Sequence, residues 1–304
     1  MRRAFYIVGP TATGKSELAA EVAREAKAEI VGADAFQIYR GLDLLNARPD
    51  AATLAKAPHY LIGTTPLSEE MNAEKYRRAA TRAIDEINSR GKLAIIVGGS
   101  GLYIKALTHG LVPVPEADRK LREALNAMTM DELSSRLAEL DPETARKIDL
   151  KNRRRVVRAL EICFLTDKPV SAQNVCKGAF HSEAATGLFV FRDRQELYDR
   201  INQRVEMMFE RGVIEEVRTA GTTSPTASQM IGFRQIRELI DRKKSRPQCI
   251  AEIQQATRRY AKRQLTWFRR QTNFLPLNLS SLTHTEAVKW ISLRVPSEPG
   301  AKDD

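Results

Sequence analysis

The stretch Gly9-Pro10-Thr11-Ala12-Thr13-Gly14-Lys15-Ser16 leaves this chain few folds to choose from. It satisfies G-x-x-x-x-G-K-[ST] at every fixed position. The apolar run Ala4–Val8 before it reads as a short buried strand. After it, Glu17–Lys27 carries Leu18, Ala19, Val22, Ala23 and Ala26 at helical spacing. Strand, glycine turn and helix start in that order aim backbone N–H groups and the positive end of a helix at one anion. In such a loop Lys15 reaches the outer phosphates and the Ser16 hydroxyl ligates Mg²⁺. Gly9 to Ser16 are therefore the expected phosphate-binding residues, with Ser16 as metal ligand. A chance glycine-rich turn is the bland alternative, but context and fixed positions agree. The motif promises a bound di- or triphosphate. It does not say whether phosphate is transferred or departs.

The rest of the chain continues an α/β pattern. Ala28–Ala33 reads as a second buried strand ending at Asp34. Chemistry in parallel sheets collects at the carboxyl ends of strands, so Asp34 shares an edge with the loop. A carboxylate there can ligate Mg²⁺ through water, take a proton from an acceptor, or cap a helix. Pro58–Ile62 suggests a short strand; His59 within it is given no role. Ala73–Arg90 is an amphipathic helix with Gly91 as its stop. Leu93–Val97 is a third buried strand, closing into Gly98-Gly99-Ser100-Gly101, a second glycine turn that allows close approach of backbone to a ligand. A Walker-type hydrolase usually carries Asp at such a strand end, so glycine here counts against nucleotide hydrolysis.

Val112–Pro115 breaks the pattern and marks a domain boundary. Ala117–Leu165 is almost wholly helical. It includes Arg153, Arg154, Arg155 and Arg158, either phosphodiester contacts or a solvated helix face. Pro169–Ala185 is polar and loosely patterned. Gly187–Phe191 reads as a strand returning to the sheet, followed by helices over Arg192–Met208 and Val213–Thr219. A long helix over Cys249–Arg270 has Arg258, Arg259, Lys262, Arg263, Arg269 and Arg270 on its basic side. Trp267 and Phe268 read as core aromatics in preference to a base-stacking platform. The end after Ser292 is Pro-rich, polar and expected to fray.

The net charge of +11 favours a polyanionic partner. Cys163, Cys176 and Cys249 are odd in number and widely spaced, which indicates neither a zinc site nor a disulfide framework. A reducing cytoplasm is the expected setting. No apolar run approaches the ~18 residues of a membrane span. Met1-Arg2-Arg3 opens straight into a strand, so no cleavable signal peptide is expected.

GPTATGKS, GADAFQIYRGLD, APHYLIG, VGGSGLYIKAL, NRRRVVRALEI, RINQRV and TRRYAKRQLTWFRR, in this order over about residues 4–275, resemble the tRNA dimethylallyltransferases. The resemblance implies transfer of a dimethylallyl group from dimethylallyl diphosphate to the N6 amine of the adenosine 3′-adjacent to the anticodon. It implies Mg²⁺ bridging the diphosphate to Ser16, Asp34 as general base, and Arg204 meeting the leaving diphosphate. It assigns tRNA contacts to Asp34, Ala35, Phe36 and Gln37, to Ser100 (where members usually carry Thr), to Arg122, and to Arg154, Arg155, Val156, Val157 and Arg158. Ala35 departs from a usual Ser. The expected partners are the tRNA anticodon stem-loop and dimethylallyl diphosphate, bound by a monomer. The rival readings are a cytokinin-type adenine-nucleotide prenyltransferase, a small-molecule P-loop kinase, and an RNA binder that only senses nucleotide. The expected fold is α/β: a P-loop parallel-sheet core over 1–115 and 186–292, an all-helical insertion domain over 116–185 that contacts tRNA, and a flexible tail over 293–304.

Overall fold

The computed structural model describes residues 3–111, 113–172 and 185–296. In chain order the elements are β1 (Ala4–Val8), α1 (Lys15–Glu25), β2 (Glu29–Gly32), α2 (Ala51–Leu54), β3 (His59–Tyr60), α3 (Ala73–Ser89), β4 (Ala94–Gly98) and α4 (Gly101–Thr108). Four helices follow: α5 (Arg119–Ala127), α6 (Met130–Leu140), α7 (Pro142–Lys147) and α8 (Arg153–Thr166). The chain then runs through β5 (Gly187–Phe191), α9 (Arg194–Glu210), α10 (Val213–Thr219), α11 (Phe233–Ile240), α12 (Arg246–Gln271), β6 (Leu275–Asn278) and α13 (His284–Ser292). It divides into two compact units, one from residues up to 109 and from 182 on, the other from 110 to 181.

The first unit is a parallel sheet of order β3-β2-β4-β1-β5-β6. β1 lies between β4 and β5, with Ala4 opposite Ala94 and Tyr6 opposite Gly187. Strands buried on both faces read as unbroken apolar runs, as β1, β2 and β4 do. On one face Phe5, Ile7, Ile30 and Ile95 pack with Leu18 and Val22 of α1 and Ala287 and Ile291 of α13. On the other, Tyr6, Val8, Val31 and Ile96 pack with Tyr76 and Ile84 of α3, Val205 of α9 and Phe268 of α12. Phe268 is thus core, as expected. The strand expected over Pro58–Ile62 is only His59–Tyr60, ended by Leu61 at φ 59°. β6 and α13 close the sheet at its far edge. Pro276 is tolerated in β6 because an edge strand needs only one side of its ladder.

The second unit packs Leu125 of α5, Leu133 and Leu137 of α6, and Val156, Val157 and Leu160 of α8 into one core. Its turns are capped: Thr129 and Glu132 form a capping box for α6. Fully buried Asp141 caps α7 and accepts from Ser171, and its carboxyl is held down at about 2. Cys176, the polar stretch 173–184 and the tail from 297 lie outside the described residues.

Candidate active site

The loop between β1 and α1 is built by close approach. A Cβ on Gly9 would stand 2.1 Å from the Val190 carbonyl oxygen of β5, so the neighbouring strand itself demands glycine there. Ala12 at φ 65° and Gly14 at φ 90° turn the chain into α1. Thr13 is fully buried and its hydroxyl donates to the Pro10 carbonyl at 3.0 Å. Lys15, 8% exposed, donates from Nζ to the same carbonyl at 3.2 Å. No side chain caps α1 at Gly14, which leaves the helix N-terminus to an anion. Burial pushes the Lys15 ammonium down to about 8; Arg204 adds to that shift and Asp34 opposes it.

Arg200 and Arg204 of α9, and Arg192 just before it, lie along the loop. Arg204 Nη1 donates to Thr11 Oγ1 at 3.0 Å, Arg200 Nε to the Ala12 carbonyl at 2.9 Å, and Arg192 Nε to the Thr13 carbonyl at 2.9 Å. Steps of four residues put 196, 200 and 204 on one helix face. Arg192 is also tied to Glu196 at 2.6 Å and to the Leu279 carbonyl at 3.1 Å. Arg204 Nε is buried without a hydrogen-bond partner, and burial holds its guanidinium below its ordinary range. Sequence reasoning gave Arg192 and Arg200 no role; the RINQR spacing after a returning strand was the available signal.

Asp34 follows β2 and closes a tight turn, its Oδ1 accepting from Phe36 N–H at 3.0 Å and Gln37 N–H at 3.4 Å. No helix begins there, which removes the helix-cap alternative. Ser100, 8% exposed at the end of β4, accepts from Ala35 N–H at 2.8 Å and so fixes the segment after Asp34. Gln264 of α12 joins the two glycine turns: Oε1 accepts from Thr11 N–H at 2.9 Å and Nε2 donates to the Gly99 carbonyl at 2.8 Å. In the second turn the protein's own packing requires glycine. A Cβ would meet Ala33 O at 2.1 Å from Gly98, Gln264 Nε2 at 2.3 Å from Gly99, and the Trp267 ring at 2.4 Å from Gly101. The close approach is by the protein's own segments.

One pocket receives Thr11, Lys15, Asp34, Phe36, Gln37 and Arg204, together with the apolar residues Leu45, Val205, Met208, Met230 and Ile253. Lys15, Asp34 and Arg204, far apart in the chain, thus meet at one place. Half-exposed Ser16 lies one residue beyond Lys15 in the first turn of α1.

The arginines of the helical unit are less available than their number suggests. Glu161 is fully buried, and its Oε2 takes Arg122 at 2.8 Å and Arg158 at 2.6 Å. Arg158 also donates to the Pro115 carbonyl at 2.8 Å. Arg153 donates to the Asn126 carbonyl at 2.8 Å and to that of Met128, closing the end of α5. Val156 and Val157 are core residues, 0% and 5% exposed, so their side chains present nothing to RNA, a correction to the expected contact run. Arg154 and Arg155 are exposed.

A family model described as IPP transferase matches residues 37–271. The chain belongs to the IPP transferase family. Among its relatives, tRNA dimethylallyltransferase 1 of Citrifermentans bemidjiense is 43% identical over 283 residues, covering 89% of this chain and 90% of its own. The tRNA dimethylallyltransferase of Acetivibrio thermocellus is 36% identical over 300 residues, 95% of each chain. The solved full-length tRNA isopentenylpyrophosphate transferase of Bacillus halodurans superposes with a TM-score of 0.69 at 33% identity, covering 96% of this chain and 95% of its own. A eukaryotic dimethylallyltransferase acting on tRNA gives a TM-score of 0.76 at 25% identity, covering 98% of this chain and 81% of its own. The chain is therefore a prenyltransferase on the α/β scaffold of those enzymes.

Proposed function

We infer that the protein transfers a dimethylallyl group from dimethylallyl diphosphate to the N6 amine of the adenosine 3′-adjacent to the anticodon in tRNA, releasing diphosphate. The observation that carries this is the mixed lining of the pocket. It holds cations, Lys15 and Arg204, together with hydrocarbon, Met208, Met230 and Ile253, and Asp34 is among the lining residues.

An adenine amine is a weak nucleophile because its lone pair is delocalised into the ring, so stabilising the leaving group carries much of the barrier. The uncapped N-terminus of α1, Lys15 and Arg204 are preorganised for negative charge developing on diphosphate. The C1–O bond of the donor breaks as the C1–N6 bond forms, and the amine proton passes to an Asp34 carboxylate oxygen. The turn N–H groups on Oδ1 hold that carboxylate in place. Ser16 Oγ, diphosphate oxygens and water make an all-oxygen donor set of the kind Mg²⁺ takes. Mg²⁺ bound there supplies further charge neutralisation to the leaving group. The adenine reaches the pocket only after leaving its stack, which needs grip on the surrounding RNA. Segment 34–37, exposed Arg154 and Arg155, and the exposed basic residues Arg259, Lys262 and Arg263 of α12 are the groups proposed to supply it. No helix among the described residues is long and apolar enough to cross a membrane. We place the enzyme in the cytoplasm, acting as a monomer.

The test is incubation with labelled dimethylallyl diphosphate, Mg²⁺ and unmodified tRNA. Label is expected on tRNA, with one diphosphate released per transfer. Label moving to free AMP, or phosphoryl transfer from ATP to an acceptor hydroxyl, would falsify the reading. Asp34→Ala is expected to cut single-turnover transfer by on the order of 10²–10⁴-fold while tRNA affinity changes little. A near-normal rate in that variant removes Asp34 as the base.

A further inference from the structure

Leu45, one of the apolar lining residues, has its own supports. Leu45 is 7% exposed and lines the pocket with Met208, Met230 and Ile253. Its Cδ1 lies 2.9 Å from where a Cβ on Gly232 would stand, and Ile253 Cδ1 lies 3.3 Å from the same point. Gly232, at φ +99°, therefore leaves the space that lets Leu45 and Ile253 sit this deep. The backbone carrying Leu45 is pinned by two sets of contacts. Glu216 of α10 accepts Leu44 N–H on Oε1 at 2.8 Å and Leu45 N–H on Oε2 at 2.9 Å. Gln37 Nε2 donates to the Ala47 carbonyl at 2.7 Å, and Asn46 Nδ2 donates to the carbonyls of Phe36 and Tyr39 at 3.3 Å. A half-buried carboxylate spent on two consecutive amides of a loop is costly placement for a surface turn. It is what a wall that must not yield requires.

We propose that Leu45 limits the transferred group to five carbons, and that Glu216 is the positioning residue that holds Leu45 at that depth. This rests on the prenyl-transfer reading above. A single added methylene changes hydrophobic binding by only about 1–3 kcal/mol, and in the favourable direction where there is room. Rejecting a longer chain therefore needs a barrier, and close-packed interiors supply one only when the barrier is rigid. Lys15 and Leu45 line the same pocket, and in this proposal the volume filled by the Leu45 side chain is what the second isoprene unit of a ten-carbon donor would need.

Transfer to unmodified tRNA is compared for dimethylallyl diphosphate and geranyl diphosphate in wild type, Leu45→Ala, Leu45→Val and Glu216→Gln. Leu45→Ala is expected to raise the geranyl-to-dimethylallyl ratio of kcat/KM by about tenfold or more. Leu45→Val is expected to raise it less. Glu216→Gln is expected to move the same ratio in the same direction by about threefold, since an amide offers one acceptor where two N–H groups need two. A Leu45→Ala enzyme, or Leu45→Val should the first not fold, that still transfers dimethylallyl with the wild-type ratio overturns the proposal. If Glu216→Gln lowers the melting temperature and both rates together, leaving the ratio unmoved, its positioning role is overturned. A wild type that transfers no five-carbon group to tRNA overturns the underlying reading and the proposal with it.

Discussion

Arginine serves opposite ends at two places in this enzyme, the core of the helical unit and the phosphate loop. In the helical unit Arg122 and Arg158 share the buried carboxylate of Glu161, and Arg153 closes a helix end. Their charge is spent on holding helices together. In the sheet unit Arg204 and Arg200 give hydrogen bonds to a hydroxyl and a carbonyl of the phosphate loop, and Lys15 to another carbonyl. Their hydrogen-bond acceptors are neutral, and Asp34 acts on Lys15 and Arg204 through its charge alone. The difference teaches that a binding site for an anion is recognised by where positive charge is held but not neutralised, and the number of arginines in a stretch is a poor guide to it.

That contrast can be broken most sharply at the loop. Lys15→Ala or Arg204→Gln is expected to lower kcat/KM for dimethylallyl diphosphate by on the order of 10²–10³-fold with tRNA binding retained. Steady-state kinetics at varied donor concentration, with tRNA binding measured separately, check this. Losses confined to tRNA affinity reverse the assignment. In the helical unit the expected damage is structural. Glu161→Gln leaves two guanidiniums facing a neutral group and is expected to cost about 3–5 kcal/mol in urea unfolding, with donor affinity unchanged.

The pH dependence separates the two units further. On the proposed role of Lys15 as a cationic contact to the donor, kcat/KM for dimethylallyl diphosphate should fall as pH rises through about 8. The folded value lies below the ordinary 10.5, so the unfolded chain binds more protons between the two. The donor-free protein should therefore gain stability as pH rises through that window, by at most about 3 kcal/mol. Urea titrations from pH 7 to 10 on wild type and Lys15→Met compare directly, and a slope that survives the substitution assigns the effect elsewhere. The smallest effect belongs to the exposed arginines. Arg154→Ala and Arg155→Ala should each flatten the salt dependence of tRNA binding by about one unit of slope, with kcat unchanged. Unaltered slopes reduce that face to a solvated surface.

Much of the sheet was legible because its central strands are buried on both faces and read as apolar runs, and the phosphate loop because its chemistry fixes its spelling. β6 was not, since four residues with a proline carry no periodic signal. The arginine run of α8 looked uniform, but which of its members turn inward depends on Glu161, whose burial only packing reveals. Arg192, Arg200 and Gln264 escaped for the same reason, since their partners lie 179, 188 and 253 positions away. Ser100 and Arg204 were legible only through the resemblance.

Gln264 has a consequence for how the enzyme comes into being. The phosphate motif is complete within the first sixteen residues, yet the carboxamide that fixes Thr11 and Gly99 is supplied from α12, near the other end of the polypeptide. A nascent chain on the ribosome displays the whole motif long before it owns the geometry. The hydrogen bonds that tie the two glycine turns together are thus completed only once α12 has been made and packed.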